Sequence, residues 1–214
     1  MPPIDSATEI PEERYDVDHD YSKKSDKGNV VPKARFARRR THNEQLLVSC
    51  CGIINARATM FGAESVSGAD DFLKSVFPNP LDCANVLFYD SNCQLQRYLI
   101  ARKDNYFQHV IMPVDVFHFK SKHKVTDEFC QKHCNPAKWN ELVGEDGKWI
   151  FNSSAAEQVN AWLGGYLAIV RDMLAHNYDF FLDEMIMRRN KLVLGRLLES
   201  GHVPYIVPSY DEYP

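Results

Sequence analysis

Residues 85–101 read NVLFYDSNCQLQRYLIA, and they decide the fold class. An apolar run of strand length, 84–89, ends on an acid, Asp90. A helical pattern of about 92–101 begins almost at once. A strand feeding a helix through a short polar turn is the elementary step of an α/β chain. A carboxylate at the carboxyl end of such a strand points to the crevice where open α/β sheets bind ligands. The alternative at Asp90 is local: it or Ser91 caps the helix that follows.

Working outward, LLVSCCGII (46–54) has the length of a buried strand, and Asn55-Ala56 is expected to turn it into a second strand, ARATMFGAES. Residues 66–77 carry Val66, Ala69, Phe72, Leu73 and Val76 at helical spacing. Ser67 is the expected N-cap, with Asp70 and Asp71 in the first turn, and Pro78 and Pro80 stop the helix. HVIMPVDVFHF (109–119) reads as a strand edged by Pro113. An insertion follows, with its bounds at 118–152. Two helices then close the chain, about 154–176 and 178–199. The first carries Val159, Trp162, Tyr166, Ile169, Val170 and Met173 on one face. Its Gly164-Gly165 pair implies close approach by another element or a kink. The order gives an α/β fold, a mixed sheet flanked by helices with an insertion before the last helices.

The ends differ. Residues 1–20 hold seven acids and one base, and residues 21–40 hold eight bases and one acid. This sets off a mostly disordered charged tail (1–43), a folded region (44–205) and an irregular tail (206–214). Lys33, Arg35, Arg38, Arg39 and Arg40 could meet phosphates or serve nuclear import, against a reading as a solvated linker. The net charge of −4 gives no global electrostatic case for nucleic acid, so DNA binding would rest on such a local patch. The acidic N-terminus is not a signal peptide, and no run approaches the roughly 20 apolar residues of a membrane span. Six cysteines without dense spacing fit reduced thiols in an intracellular protein.

Chemistry concentrates in 115–157. Glu157 sits in the first turn of a helix, where Ser154-x-x-Glu157 also fits a capping box. Were Glu157 to meet Asp90, two hard carboxylates would suit Mg²⁺ or Mn²⁺. His118, His123, Cys130, His133 and Cys134 combine imidazole and thiolate in the order H-x4-H-x6-C-x3-C. Zn²⁺ held by His123, Cys130, His133 and Cys134 would staple the insertion; the other reading is a loop with scattered His and reduced Cys.

Six stretches, in order, carry a resemblance: THNEQLLVSCCGIINARATMFGAES (41–65), VLFYDSNCQLQ (86–96), PVDVFHFKSKHK (113–124), CQKHCNPAKW (130–139), GKWIFNSSAAEQVNAWLGGYLAIVR (147–171) and YDFFLDEMIMRRN (178–190). Over about 35–205 the chain resembles the catalytic region of fungal KDZ (Kyakuja–Dileera–Zisupton) transposases, in the group that carries cysteine-cluster (CxC) zinc modules. The resemblance implies a ribonuclease H-like fold and metal-dependent DNA cleavage and strand transfer in the nucleus. It matches Asp90 and Glu157 to the second and third catalytic acids. It matches Asp115-x-x-His118 to a supporting C/D-x-x-H motif, and Cys130 and Cys134 to cysteines of the insertion. The family's first acid and its zinc module have no counterpart upstream of Glu44. The expectation is a transposase-derived core, truncated and inactive in strand transfer. Two alternatives stand beside it. One is a non-enzymatic DNA- or protein-binding remnant using the basic arm and the insertion. The other is an unrelated metal-dependent hydrolase on Asp90, Asp115 and Glu157. Homo-oligomerisation is left open.

Overall fold

A computed structural model describes residues 43–61 and 65–203. The chain divides between Ala37 and Arg38 into two units, and every described residue belongs to the second. The basic arm Lys33–Arg40 lies outside the described residues, as do the far ends of both tails. The architecture is helix-rich mixed α/β with one small antiparallel sheet.

That sheet is a hairpin of β1 (Asn43–Val48) and β2 (Ile54–Met60). The turn falls earlier than expected. Ser49 to Ile53 closes it, with Gly52 at φ 87° and the Ser49 N–H donating to the Ile53 carbonyl at 2.8 Å. Only glycine takes that φ without strain, so SCCG is a turn and the apolar run is cut short. The register slips between Leu47 and Val48.

Helix α1 (Val66–Val76) buries Ala69, Phe72 and Leu73, as the spacing predicts. Its N-cap is Ser65 rather than Ser67: the Ser65 hydroxyl accepts from the Gly68 N–H at 3.0 Å. Asp70 therefore lies beyond the first turn, where it is buried and pairs with Lys74 at 2.9 Å.

Residues 85–89 and 111–113 run parallel. Ile111 donates to the Asn85 carbonyl and accepts from Leu87, both at 2.8 Å. Helix α2 (Asn92–Arg102) crosses between them. The second segment is much shorter than the expected 109–119 strand, because Asp115 caps a helix, α3 (Val116–Lys122), with its side chain on the His118 N–H. A local cap has overridden the β-like composition of VFHF.

The insertion adds α4 (Glu128–His133) and two short 3₁₀ turns. Beyond it, α5 (Ala155–Gly164) and the single turn α6 (Leu167–Val170) replace one long helix. The break falls at Gly164-Gly165. A side chain at Gly164 would meet nothing within 4 Å, and one at Gly165 would meet only its own helix's Trp162 carbonyl. The glycines mark a break, not a close approach. Helix α7 (Ala175–Glu199) ends the described chain and buries only Leu182.

The main core joins Leu73, Phe77, Leu87, Leu95, Leu99, Phe107 and Met112 around α1, α2 and the parallel pair. A second, smaller core is lined by sulfur: Cys93, Val114, Cys130 and Cys134, flanked by Phe119 and Phe129.

Candidate metal centres

Position is set first by Asn92, which is fully buried at the start of α2. Its Nδ2 donates to the Leu87 and Pro113 carbonyls, each at 2.7 Å. One side chain thus ties together the carboxyl ends of the two parallel segments. Gln96, one turn on, donates to the Met112 carbonyl at 2.9 Å. Asp90 and Asp115 follow directly from these tied ends and are brought to the same place.

There they meet His118. Its Nδ1 lies 3.0 Å from Asp90 Oδ1, 3.1 Å from Asp115 Oδ1 and 3.3 Å from Glu157 Oε1. Carboxylate oxygens only accept, so Nδ1 carries the ring proton and donates among them. Asp115 and His118 are buried, at 2% and 7% exposure, whereas the Asp90 side chain is half exposed. One ligand atom each from Asp90, His118 and Glu157 falls within 4.8 Å of the other two. The two acids are thus neighbours, although α2, α3 and α4 separate them in the chain.

The capping alternatives do not describe these acids. Ser91 and Ser154 occupy the N-cap positions of α2 and α5, and neither side chain makes a cap hydrogen bond. Glu157 turns to His118 and away from a capping box. Asp115, by contrast, is both a cap and a site residue, since its Oδ1 accepts from the backbone and the ring of His118.

A second group forms around His123. Its Nδ1 is 3.1 Å from Cys130 Sγ and 3.7 Å from Cys93 Sγ. The ligand atoms of Cys93, His123 and Cys130 also lie within 4.8 Å of one another. Cys134 is fully buried in the same cluster. Burial, and then the neighbouring Cys93 sulfur, pushes the Cys130 thiol up to about 12. Burial and then Cys130 do the same to Cys134, also to about 12. All six cysteines are free. Asp127 caps α4 on the Cys130 N–H at 3.0 Å and pairs with Arg97 of α2 at 2.6 Å, which holds α4 against α2.

Of the four expected soft ligands, His123 and Cys130 converge, and Cys134 is buried in the same sulfur-lined core as Cys130. His133 does not join them; its ring lies over Phe129 with centroids 4.6 Å apart. Cys93 takes the fourth place. It lies on α2, one turn from Arg97, where an amphipathic helix reads as core in sequence. Asn92 and Gln96 were missed for the same reason. The helical spacing of Asn92, Cys93, Gln96 and Arg97 was the available signal, because polar and thiol residues recur on successive turns of a helix that should be burying apolar ones.

Next to Asp90 opens a cleft of about 560 Å³. Its walls include Tyr89, Asp90, Arg97, Lys122, His123 and Lys124. No helix among the described residues is long and apolar enough to cross a membrane. The chain matches no known protein family, no curated protein and no solved structure.

Proposed function

We propose that residues 44–205 are a ribonuclease H-like core derived from a KDZ-type transposase, directed at DNA in the nucleus, with a divalent-cation centre in which Asp90 and Glu157 match two of the family's three acids. The observation that carries this reading is the convergence of Asp90 and Glu157 on His118. The element order supports it as well. A hairpin, a helix, and two parallel segments with an acid at the end of the first accord with part of the order of such a core.

The residues fit a hard divalent cation. Asp115 Oδ2 and Glu157 Oε2 are buried oxygens without a hydrogen-bond donor, and a cation satisfies such atoms. Asp90 and Glu157 would hold Mg²⁺ or Mn²⁺, which supplies Lewis-acid stabilisation of charge at a phosphate. His118 orients both acids through one nitrogen, and Asp115 fixes the His118 ring. Lys122 and Lys124 on the cleft wall beside Asp90 supply positive charge for a phosphodiester backbone.

Glu44 on β1 is committed elsewhere. Its Oε1 accepts from Arg57 at 2.6 Å and from Thr59 at 2.9 Å. Cation binding without strand transfer is the outcome this arrangement supports.

Two measurements on the full chain test it. Electron paramagnetic resonance titration should show one Mn²⁺ site, weakened at least tenfold in Asp90→Ala and in Glu157→Ala. Incubation of labelled duplex DNA with Mn²⁺ should give no nicking. Wild-type affinity for Mn²⁺ in both variants would sink the cation centre. Nicking that both substitutions abolish would instead show that the centre is complete.

A further inference from the structure

We propose that Cys93, His123, Cys130 and Cys134 form a zinc site that staples the insertion to α2 and holds the turn bearing Asp90. The site rests on geometry independent of the acid centre, so it stands or falls separately from the function proposed above.

Three helices and their ends supply the ligands. Cys93 comes from α2, His123 from the end of α3, Cys130 from within α4 and Cys134 from its C-cap. Tetrahedral zinc with bonds of about 2.3 Å to sulfur and 2.0 Å to nitrogen spaces its ligand atoms roughly 3.5–3.8 Å apart. The observed 3.1 and 3.7 Å from His123 Nδ1 to the two sulfurs bracket the lower part of that range. The ligand atoms of Cys93, His123 and Cys130 lie within 4.8 Å of one another, and Cys134, buried in the same core, is the fourth ligand of the proposed site.

The far side of the His123 ring is the more telling feature. Nε2 lies 2.9 Å from the Asp90 carbonyl oxygen. A carbonyl only accepts, so Nε2 carries the proton and Nδ1 offers its lone pair to the thiol cluster. A zinc-bound imidazole takes this tautomer, with its other nitrogen donating to a backbone carbonyl. A plain thiol core explains buried cysteines as small hydrophobes. An S–H donated by Cys130 to Nδ1 accounts for one of these contacts, but the gathering of two sulfurs on the bare nitrogen, with the N–H on the backbone of Asp90, is the arrangement a metal ion uses. The staple also answers a packing need, since the sulfur-lined core has only Val114, Phe119 and Phe129 as apolar companions.

The ligand set differs from the one the sequence spacing favours by a single exchange, Cys93 for His133. That exchange makes the test sharp. Full-length protein purified from zinc-supplemented culture should carry about one zinc per chain by mass spectrometry of the metal. His133→Ala should keep it, and Cys93→Ser should lose most of it. Cobalt exchanged into the wild type should give tetrahedral d–d bands with charge-transfer intensity for three thiolates. Metal-free wild type, or zinc lost in His133→Ala and kept in Cys93→Ser, would overturn the site. Should Cys93→Ser fail to fold, the cobalt spectrum decides alone: intensity for two thiolates removes Cys93 from the site.

Discussion

Asn92 does more positional work than any acid it serves. Its amide is the donor to two carbonyls in the dry interior, at 2.7 Å each. Asn92→Ala strips Leu87 and Pro113 of that donor. Leaving buried acceptors unmet costs about 1–3 kcal/mol each, and Pro113 retains a long bond from Tyr89, so a loss of about 2–3 kcal/mol is expected. Urea unfolding measures it; a change under about 0.5 kcal/mol would show that the clamp is dispensable. At this scale the sequence was half legible. Asp90 and Glu157 stood out as acids that end a strand-like run and open a helix, although capping accounts for both positions equally well in sequence, and His118 as one of several imidazoles near them. Asn92 and Cys93 did not, because a partner that arrives from twenty or more residues away leaves no trace in local spacing. His133 was misassigned for the converse reason: being one residue from Cys134 does not decide which face of α4 it shares.

Between elements, the contact of α7 with the hairpin depends on polar groups. Arg57 of β2 reaches Asp183 at 2.7 Å and Asp179 at 3.0 Å on α7, and Glu44 on β1 at 2.6 Å. Burial opposes its charge, but the hydrogen bonds it donates to Asp183, Glu44 and Asp179 outweigh burial and hold its pKa above the ordinary arginine value. Asn190 adds a backbone-like pair, accepting from the Ile54 N–H at 3.0 Å and donating to the Ile54 carbonyl at 2.7 Å. The Glu44 side chain is only 3% exposed, whereas Asp179 and Asp183 are more than half exposed. Removing Arg57 therefore strands a buried carboxylate. Arg57→Ala should cost about 3 kcal/mol or more, while Asp179→Ala and Asp183→Ala should cost under about 1 kcal/mol each. Equal losses in all three, read by guanidinium unfolding, would place the energy in the surface pairs instead. Helices α1 and α2 were legible within a residue or two because the apolar spacing marks both, and Pro78 and Pro80 stop α1. The hairpin turn and the start of α3 were not, and the break after α5 was only one of the two readings Gly164-Gly165 left open. Each is decided by a backbone demand of one or two residues, Gly52, Asp115 and Gly164-Gly165, within a pattern that reads smoothly across it.

For the whole molecule, two cores of different chemistry share one helix. One face of α2 packs Leu95 and Leu99 into the aliphatic and aromatic core, and another presents Cys93 to the sulfur-lined core. The α1 side of the larger core is closed by Lys74, which bridges Asp70 and Asp104 and lies over the Tyr106 ring. This bridge predicts how global stability responds to pH. The Lys74 hydrogen bond, and then the Tyr106 N–H, hold Asp104 below the ordinary carboxylate value. A carboxylate depressed in the folded state contributes stability that is complete above its unfolded pKa, near 4, and is lost as pH falls through the lower folded value. Lys74 is shifted the other way: burial works against its charge, but Asp104 and Asp70 raise it overall. Its share is complete below the unfolded lysine value, near 10.4, and is lost as pH rises through the higher folded one. Both contributions are therefore intact across neutral pH, and the acid side is the accessible test. Asp104→Asn should be less stable than the wild type at about pH 6–8, and the gap between their urea midpoints should narrow as pH falls below about 4. A gap that stays constant from about pH 7 to pH 3 would mean that the charge on Asp104 contributes nothing to the fold.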